Sequence, residues 1–121
     1  MRNEVVIEKM ICYTQRIMKY SSGLSYEEFV SNSMIIDACV FNLSQIGELT
    51  SNIDESFEND HPAIMWRQMY GLRNRIVHDY EGVNLNLVWE IITNDIPDLL
   101  SKLKGIQEEL AGAENSPFAS P

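Results

Sequence analysis

Apolar residues recur at intervals of three and four along most of the chain, which is the period of a helix with one buried face. Val6, Met10, Tyr13, Ile17 and Tyr20 set this rhythm first and predict an amphipathic helix from about Asn3 to Tyr20, ended by Ser21-Ser22-Gly23. Ser25 followed by Glu28 has the form of a capping box and predicts a short helical turn through Tyr26 and Phe29. From about Asn32 to Asn52 two apolar faces run side by side. Ile35, Cys39, Asn42, Ile46, Leu49 and Ile53 mark one, and Ile36, Val40, Leu43 and Gly47 mark the other, as expected of a central or dimer-facing helix.

Residues 50–61 are rich in Ser, Asn, Asp and Glu and read as a polar loop. Pro62 suits a first helical position, with Asp60 or His61 as an exposed cap, so the next helix is expected from Pro62 to His78. Glu81-Gly82-Val83 interrupts the pattern, and Asn84 is a plausible N-cap for the last helix. There Val88, Ile92, Ile96, Leu99, Leu103, Ile106 and Leu110 keep helical spacing across Pro97, whose missing N–H predicts a kink near Thr93. No strand is expected. The pattern predicts an all-α antiparallel bundle of four main helices plus one short helix over residues 1–110, with 111–121 as a flexible tail.

Composition narrows the function classes. The 121 residues are 45% hydrophobic and 22% charged, enough for one domain and one core. No apolar run is long enough to span a bilayer, and the first twenty residues keep taking charges, so no membrane or secretory signal is expected and the cytoplasm is the expected location. Cys12 and Cys39 lack metal-ligand spacing and read as core thiols.

With 18 acidic and 9 basic side chains, the net charge of −9 opposes nonspecific binding of a polyanion. Distribution changes that picture. No Lys or Arg occurs between Tyr20 and Trp66, and then Arg67, Arg73 and Arg75 arrive within nine residues. A dimer that joined two such segments would line one cleft with six arginines.

The stretch from Gly71 to Tyr80 concentrates the candidate chemistry. Read as one helix, Trp66, Met69, Ile76 and Val77 form an apolar arc with Arg73 in its middle. A guanidinium there calls for an acidic partner or a wet interface. Asp37 either faces solvent on a narrow polar strip or pairs with Arg73, and Glu48 is a second candidate partner. On the same wheel Tyr80 lies about 20° from Arg73, and Asn74 and His78 form an i,i+4 pair. Taken alone, His78 and Arg73 could be a helix C-cap and an ion pair, and Tyr80 a core tyrosine.

Arg73-Asn74-Arg75-Ile76-Val77-His78-Asp79-Tyr80 resembles the signature of the HEPN superfamily, an arginine followed after a few residues by a histidine. A tyrosine two places after the histidine makes it similar to the HepT-like ribonuclease toxin branch. The resemblance extends to Ile46-Gly47-Glu48, to Pro62 with Trp66-Arg67, to Val88-Trp89-Glu90 and to Asp95-Ile96-Pro97, over roughly residues 1–110. It implies a HEPN-like helical bundle that forms a homodimer with both motifs facing one cleft. It also implies a minimal nucleotidyltransferase antitoxin that attaches AMP to Tyr80.

The residue types fit RNA cleavage by the 2′-hydroxyl. That reaction needs a proton acceptor or donor of pKa near 7 and a cation for the developing phosphorane charge, types supplied by His78 and Arg73. Asn74 could orient the imidazole or the phosphate, and Arg75 or Arg67 could hold the RNA backbone. No metal or cofactor is called for. The alternative is a noncatalytic dimeric module that presents substrate to a nucleotidyltransferase partner, and His78 discriminates the two.

Overall fold

The computed structural model describes residues 2–78 and 82–114. Its elements in chain order are α1 (Asn3–Ser21), α2 (Tyr26–Val30), α3 (Ser33–Thr50), α4 (Glu55–Asp60), α5 (Trp66–Tyr70), α6 (Leu72–Ile76), β1 (Val77–His78), β2 (Gly82–Val83), α7 (Leu85–Glu90), a π-helical segment (Ile91–Asp95) and α8 (Ile96–Glu114). The fold is all-α and HEPN-like. Three long helices make its frame, with α1 packed against both α3 and α8.

Their seam is apolar. Val6, Ile7, Met10 and Ile17 of α1, Cys39, Leu43 and Ile46 of α3, and Leu103 of α8 are all fully buried. At roughly 25 cal/mol per Å² of apolar surface removed from water, this seam is the main stabilising term of the fold. Thr14 can be buried beside them because its hydroxyl donates to the Met10 carbonyl at 2.7 Å.

Several elements form where local chemistry predicts them. Ser25 caps α2 reciprocally, its hydroxyl accepting from Glu28 N–H at 3.1 Å while its own N–H donates to the Glu28 carboxylate at 3.0 Å. Phe29, fully buried, then meets Trp89 of α7 at a ring separation of 5.2 Å and joins α2 to α7. Asn32 and Asn84 cap α3 and α7 by accepting from Ile35 N–H and Leu87 N–H, each at 3.1 Å.

Pro97 acts as expected, with a different outcome in geometry. Lacking an N–H, it leaves the Thr93 carbonyl without its i+4 donor, and the chain forms the π turn Ile91–Asp95 there. The Thr93 hydroxyl donates to the Trp89 carbonyl at 2.7 Å within that turn. Ile91, Ile92 and Ile96 are all buried there.

Other expectations are corrected. Residues 50–61 are not all loop, because α4 forms at Glu55–Asp60. Glu55 and Glu58 sit in its first turn, where the helix dipole favours carboxylates. His61 caps the C-terminus of α4 and not the start of the next helix. Its Nδ1–H donates to the Phe57 carbonyl at 2.9 Å, its ring lies 4.3 Å from that of Phe57, and its side chain is only 14% exposed.

The helix expected from Pro62 to His78 exists as two short pieces. The Trp66 indole N–H is tied to the His61 carbonyl at 3.0 Å, which holds residues 62–65 in a turn, and Gly71 separates α5 from α6. Beyond Ile76 the backbone is extended, and Val77 pairs with Val83 and His78 with Gly82 in an antiparallel bridge where no strand was expected. β-branched Ile76 and Val77 favour that exit from the helix. Gly82, at φ 79°, occupies a left-handed conformation open to glycine at low cost. Cys39 is a core thiol, but Cys12 is exposed on α1. At the other end α8 continues to Glu114, past the expected start of the tail, and residues 115–121 lie outside the described residues.

Candidate nucleic-acid site

The arginine-rich segment is anchored from behind. Leu72 and Ile76 bury the inner side of α6, at 4% and 0% exposure, while Trp66 and Met69 do so for α5. Gly47 of α3 lets this segment approach closely, since a Cβ at that position would stand 2.8 Å from the Met69 carbonyl oxygen. The bare backbone of α3 thus sets the depth at which α5 and α6 sit.

With the apolar residues turned inward, Arg67, Arg73, Asn74 and Arg75 are all exposed. The wheel drawn for one continuous helix put Arg73 within the apolar arc. The interruption at Gly71 lets each short helix bury its own two apolar residues, and Arg73 stays in solvent. Asp37 and Glu48 are exposed on α3, and neither is ion-paired with Arg73 among the described residues. No ion pair engages Arg67, Arg73 or Arg75 among those residues, so three cations are available within nine positions of a strongly acidic chain.

The expected i,i+4 relation between Asn74 and His78 does not arise, because α6 ends at Ile76 and His78 belongs to β1. Its backbone is fixed by the bridge to Gly82, and the Asn84 N–H donates to the Ile76 carbonyl at 2.8 Å beside it. The side chain of His78, and Tyr80 as a whole, lie outside the described residues.

Arg75 leaves α6 on a different side from Arg73, about 200° away around the helix. There it lines a groove of about 130 Å³ between α5/α6 and the start of α8. Met69, Leu72, Ile91 and Ile96 contribute apolar surface to the groove, and Gln68 and Asp95 contribute polar groups. Sequence reasoning missed Gln68, Asp98 and Lys102 as neighbours of the motif. Asp95-Ile96-Pro97 was visible only as a flank, and its proximity depends on the π turn. Lys102 is paired with Asp98 at 2.7 Å, whereas Asp95 has no cation within 4.0 Å among the described residues.

Among the described residues no group of three or more His, Cys, Asp or Glu could hold a metal ion. No described helix is long and apolar enough to cross a membrane.

Comparison with known proteins supplies an independent line. The family model "Ribonuclease HepT-like" matches residues 10–106. A protein of Caldanaerobacter subterraneus subsp. tengcongensis named "Putative RNase TTE0752" is 30% identical over 103 residues, covering 85% of this chain and 92% of its own. "Probable ribonuclease HepT" of Thermococcus cleftensis is 30% identical over 92 residues, 76% of this chain and 84% of that one. "Putative RNase MJ1380" of Methanocaldococcus jannaschii is 32% identical over 88 residues, 73% and 81% of the two chains. No solved structure matches.

Proposed function

The chain belongs to the HepT-like ribonuclease family and is a ribonuclease, and we propose that it is the toxin of a toxin–antitoxin pair that cuts RNA through Arg73 and His78 without a metal. The observation that carries this reading is the exposure of Arg73 and Asn74 on a helix ending one residue before the strand that holds His78. A solvent-facing guanidinium that no carboxylate engages among the described residues is free to meet a phosphate.

In the reaction, the His78 imidazole takes the proton of the 2′-hydroxyl and O2′ attacks the adjacent phosphorus. The bond to the 5′-oxygen breaks, and the proton returns to that leaving oxygen. The products are a 2′,3′-cyclic phosphate and a free 5′-hydroxyl, with the histidine restored. Arg73 offsets the charge that builds on the phosphorane oxygens. Asn74 orients the phosphate or the imidazole, and Arg67 and Arg75 contact neighbouring phosphates.

The working unit in this reading is a cytoplasmic homodimer with both motifs in one cleft. Leu43 and Gly47, two residues of the second apolar face of α3, are buried within the chain. Met34 and Phe41 of α3, 81% and 58% exposed, are the apolar surface left for pairing. Control comes from a nucleotidyltransferase antitoxin that attaches AMP to Tyr80, two residues after His78 in the sequence, adding a phosphate and an adenosine that oppose RNA binding.

The test uses protein made without the antitoxin, its mass checked for AMP, and incubated with total RNA with and without EDTA. Cleavage survives EDTA, and His78→Ala and Arg73→Ala each reduce it by roughly a hundredfold or more while the helical signal is unchanged. Equal cleavage by the His78 variant would remove the acid-base assignment and favour a noncatalytic module that presents substrate to the antitoxin.

A further inference from the structure

The groove beside α6 has the makeup of a subsite for part of a ligand. At about 130 Å³ it is well below the roughly 300–1,000 Å³ that encloses a drug-sized molecule, so it takes one ring and leaves the remainder outside. Its walls include Met69, Leu72, Ile91 and Ile96, each no more than 7% exposed, which form a dry surface suited to the face of a planar ring. Four charged side chains line the same groove: Asp98 and Lys102 pair with each other at 2.7 Å, which leaves Arg75 and Asp95. They do not come within 4.0 Å of each other, and neither has another ion-pair partner among the described residues.

An apolar slot with a cation and a carboxylate, neither ion-paired among the described residues, complements a flat molecule that carries an anion and a donor edge. A nucleotide has this form. Among the four bases, guanine alone presents two adjacent donors, N1–H and the N2 amino group, on its Watson–Crick edge, and a carboxylate can accept both at once. Adenine and cytosine place an acceptor next to their amino group, and uracil flanks its one N–H with two carbonyls, so each would set a lone pair against Asp95. Resting on the ribonuclease reading of the neighbouring motif, we infer that the groove is a guanine subsite. Asp95 reads the base edge, and Arg75 holds the phosphate of that nucleotide. Gln68, also lining the groove, has an amide that can donate to guanine O6.

Position supports the assignment. Arg75 follows Arg73 by two residues on α6, about 200° around it, so the groove and the Arg73 face are two sides of one five-residue helix, and an RNA strand that passes round it can meet both. The π turn brings the other wall, since Ile91 and Asp95 are its first and last residues.

The experiment has a binding arm and a cleavage arm. Guanosine, adenosine, cytidine and uridine 5′-monophosphates are titrated into the full chain, with amide NMR shifts read at Gln68, Leu72 and Asp95. Guanosine monophosphate binds roughly tenfold more tightly than the other three, within the range that a bidentate base contact discriminates. Asp95→Asn, which keeps the size and loses one acceptor, abolishes that preference. Arg75→Gln weakens all four without changing their order. In the cleavage arm, product ends mapped on an RNA of mixed sequence show guanosine enriched at one fixed position beside the cut, and the enrichment disappears in Asp95→Asn.

Nucleotide binding with no preference, or a preference that survives Asp95→Asn, overturns the subsite even if RNA is cut normally. Guanosine-selective shifts in a protein that cuts no RNA leave the subsite standing and remove the ribonuclease reading. Groove shifts that follow protein concentration and ignore nucleotide mean that a second copy fills the slot, and also overturn it.

Discussion

Gly47 and Met69 touch backbone to backbone: a methyl group at Gly47 would stand 2.8 Å from the Met69 carbonyl oxygen, closer than carbon and oxygen can pack. A neighbour of this kind cannot rotate aside as a flexible side chain would. Gly47→Ala therefore pushes α5 away from α3, and with it the arginine-bearing segment. The expected cost is about 1–3 kcal/mol, the range for overpacking a close contact. Gly105→Ala is the counterpart, because an added methyl in α8 meets nothing within 4 Å and the helix gains about 1 kcal/mol from the better helix former. Urea unfolding of the two variants should move the midpoint in opposite directions, with the slopes unchanged.

The two thiols should separate in reactivity. Burial pushes the Cys39 thiol up from an ordinary 9.0 to about 11, and its side chain has no exposed surface. Cys12 is exposed. At pH 8 the native protein should take up one equivalent of iodoacetamide per chain, and two in denaturant, by intact mass. The same displacement gives a direction to stability. Below 9.0 both states keep the Cys39 proton and its contribution is complete. As pH rises from 9.0 through about 11 the unfolded chain ionises first, and stability falls. Two equivalents in the native protein would place Cys39 at the surface.

Phe41 should control assembly. A charge in place of the exposed ring removes apolar surface from any pairing of two α3 helices and adds a desolvation cost. Light scattering at micromolar concentration should give about twice 13.9 kDa for the parent and a value near 13.9 kDa for Phe41→Glu, with both equally helical. A parent mass near 13.9 kDa would rule out the homodimer.

Tyr80→Phe should fold as the parent does and escape the antitoxin. It keeps the ring but lacks the oxygen that would attack the α-phosphate of ATP. Co-expressed with the nucleotidyltransferase, the parent should gain the mass of AMP and lose RNA cleavage, while the Phe variant gains none and stays active. AMP on the Phe variant would point to another acceptor, such as Tyr70 or Tyr26. Neutralisation without added mass would mean inhibition by binding alone.

The sequence was most legible where structure depends on neighbours within one turn. Ser25 and Glu28 announce their capping box, Asn84 its helix start, and Pro97 its disturbance four residues upstream, because each is a local hydrogen-bond problem. It was least legible around the motif. Trp66, Met69, Leu72 and Ile76 keep helical spacing straight across Gly71, so the break leaves no trace in the hydrophobic period. That hidden break is why the wheel misjudged Arg73, and the early end of α6 at Ile76 is why Asn74 and His78 do not stand one turn apart. The arginine cluster was visible as composition. Its division between two sides of α6, one of them a groove, needed the packing of α8.

The π turn at Ile91–Asp95 also acts as a phase adjuster. A π-helical turn holds one residue more than an α-helical turn, so everything after Asp95 is rotated by about 100° relative to an uninterrupted helix. Deleting any one residue between Ile91 and Asp95 would remove that offset and swing the stripe of Leu99, Leu103 and Ile106 out of line with α1. The chain would keep its helical content and lose its seam, so the count of residues in that single turn is as binding on this fold as their identity.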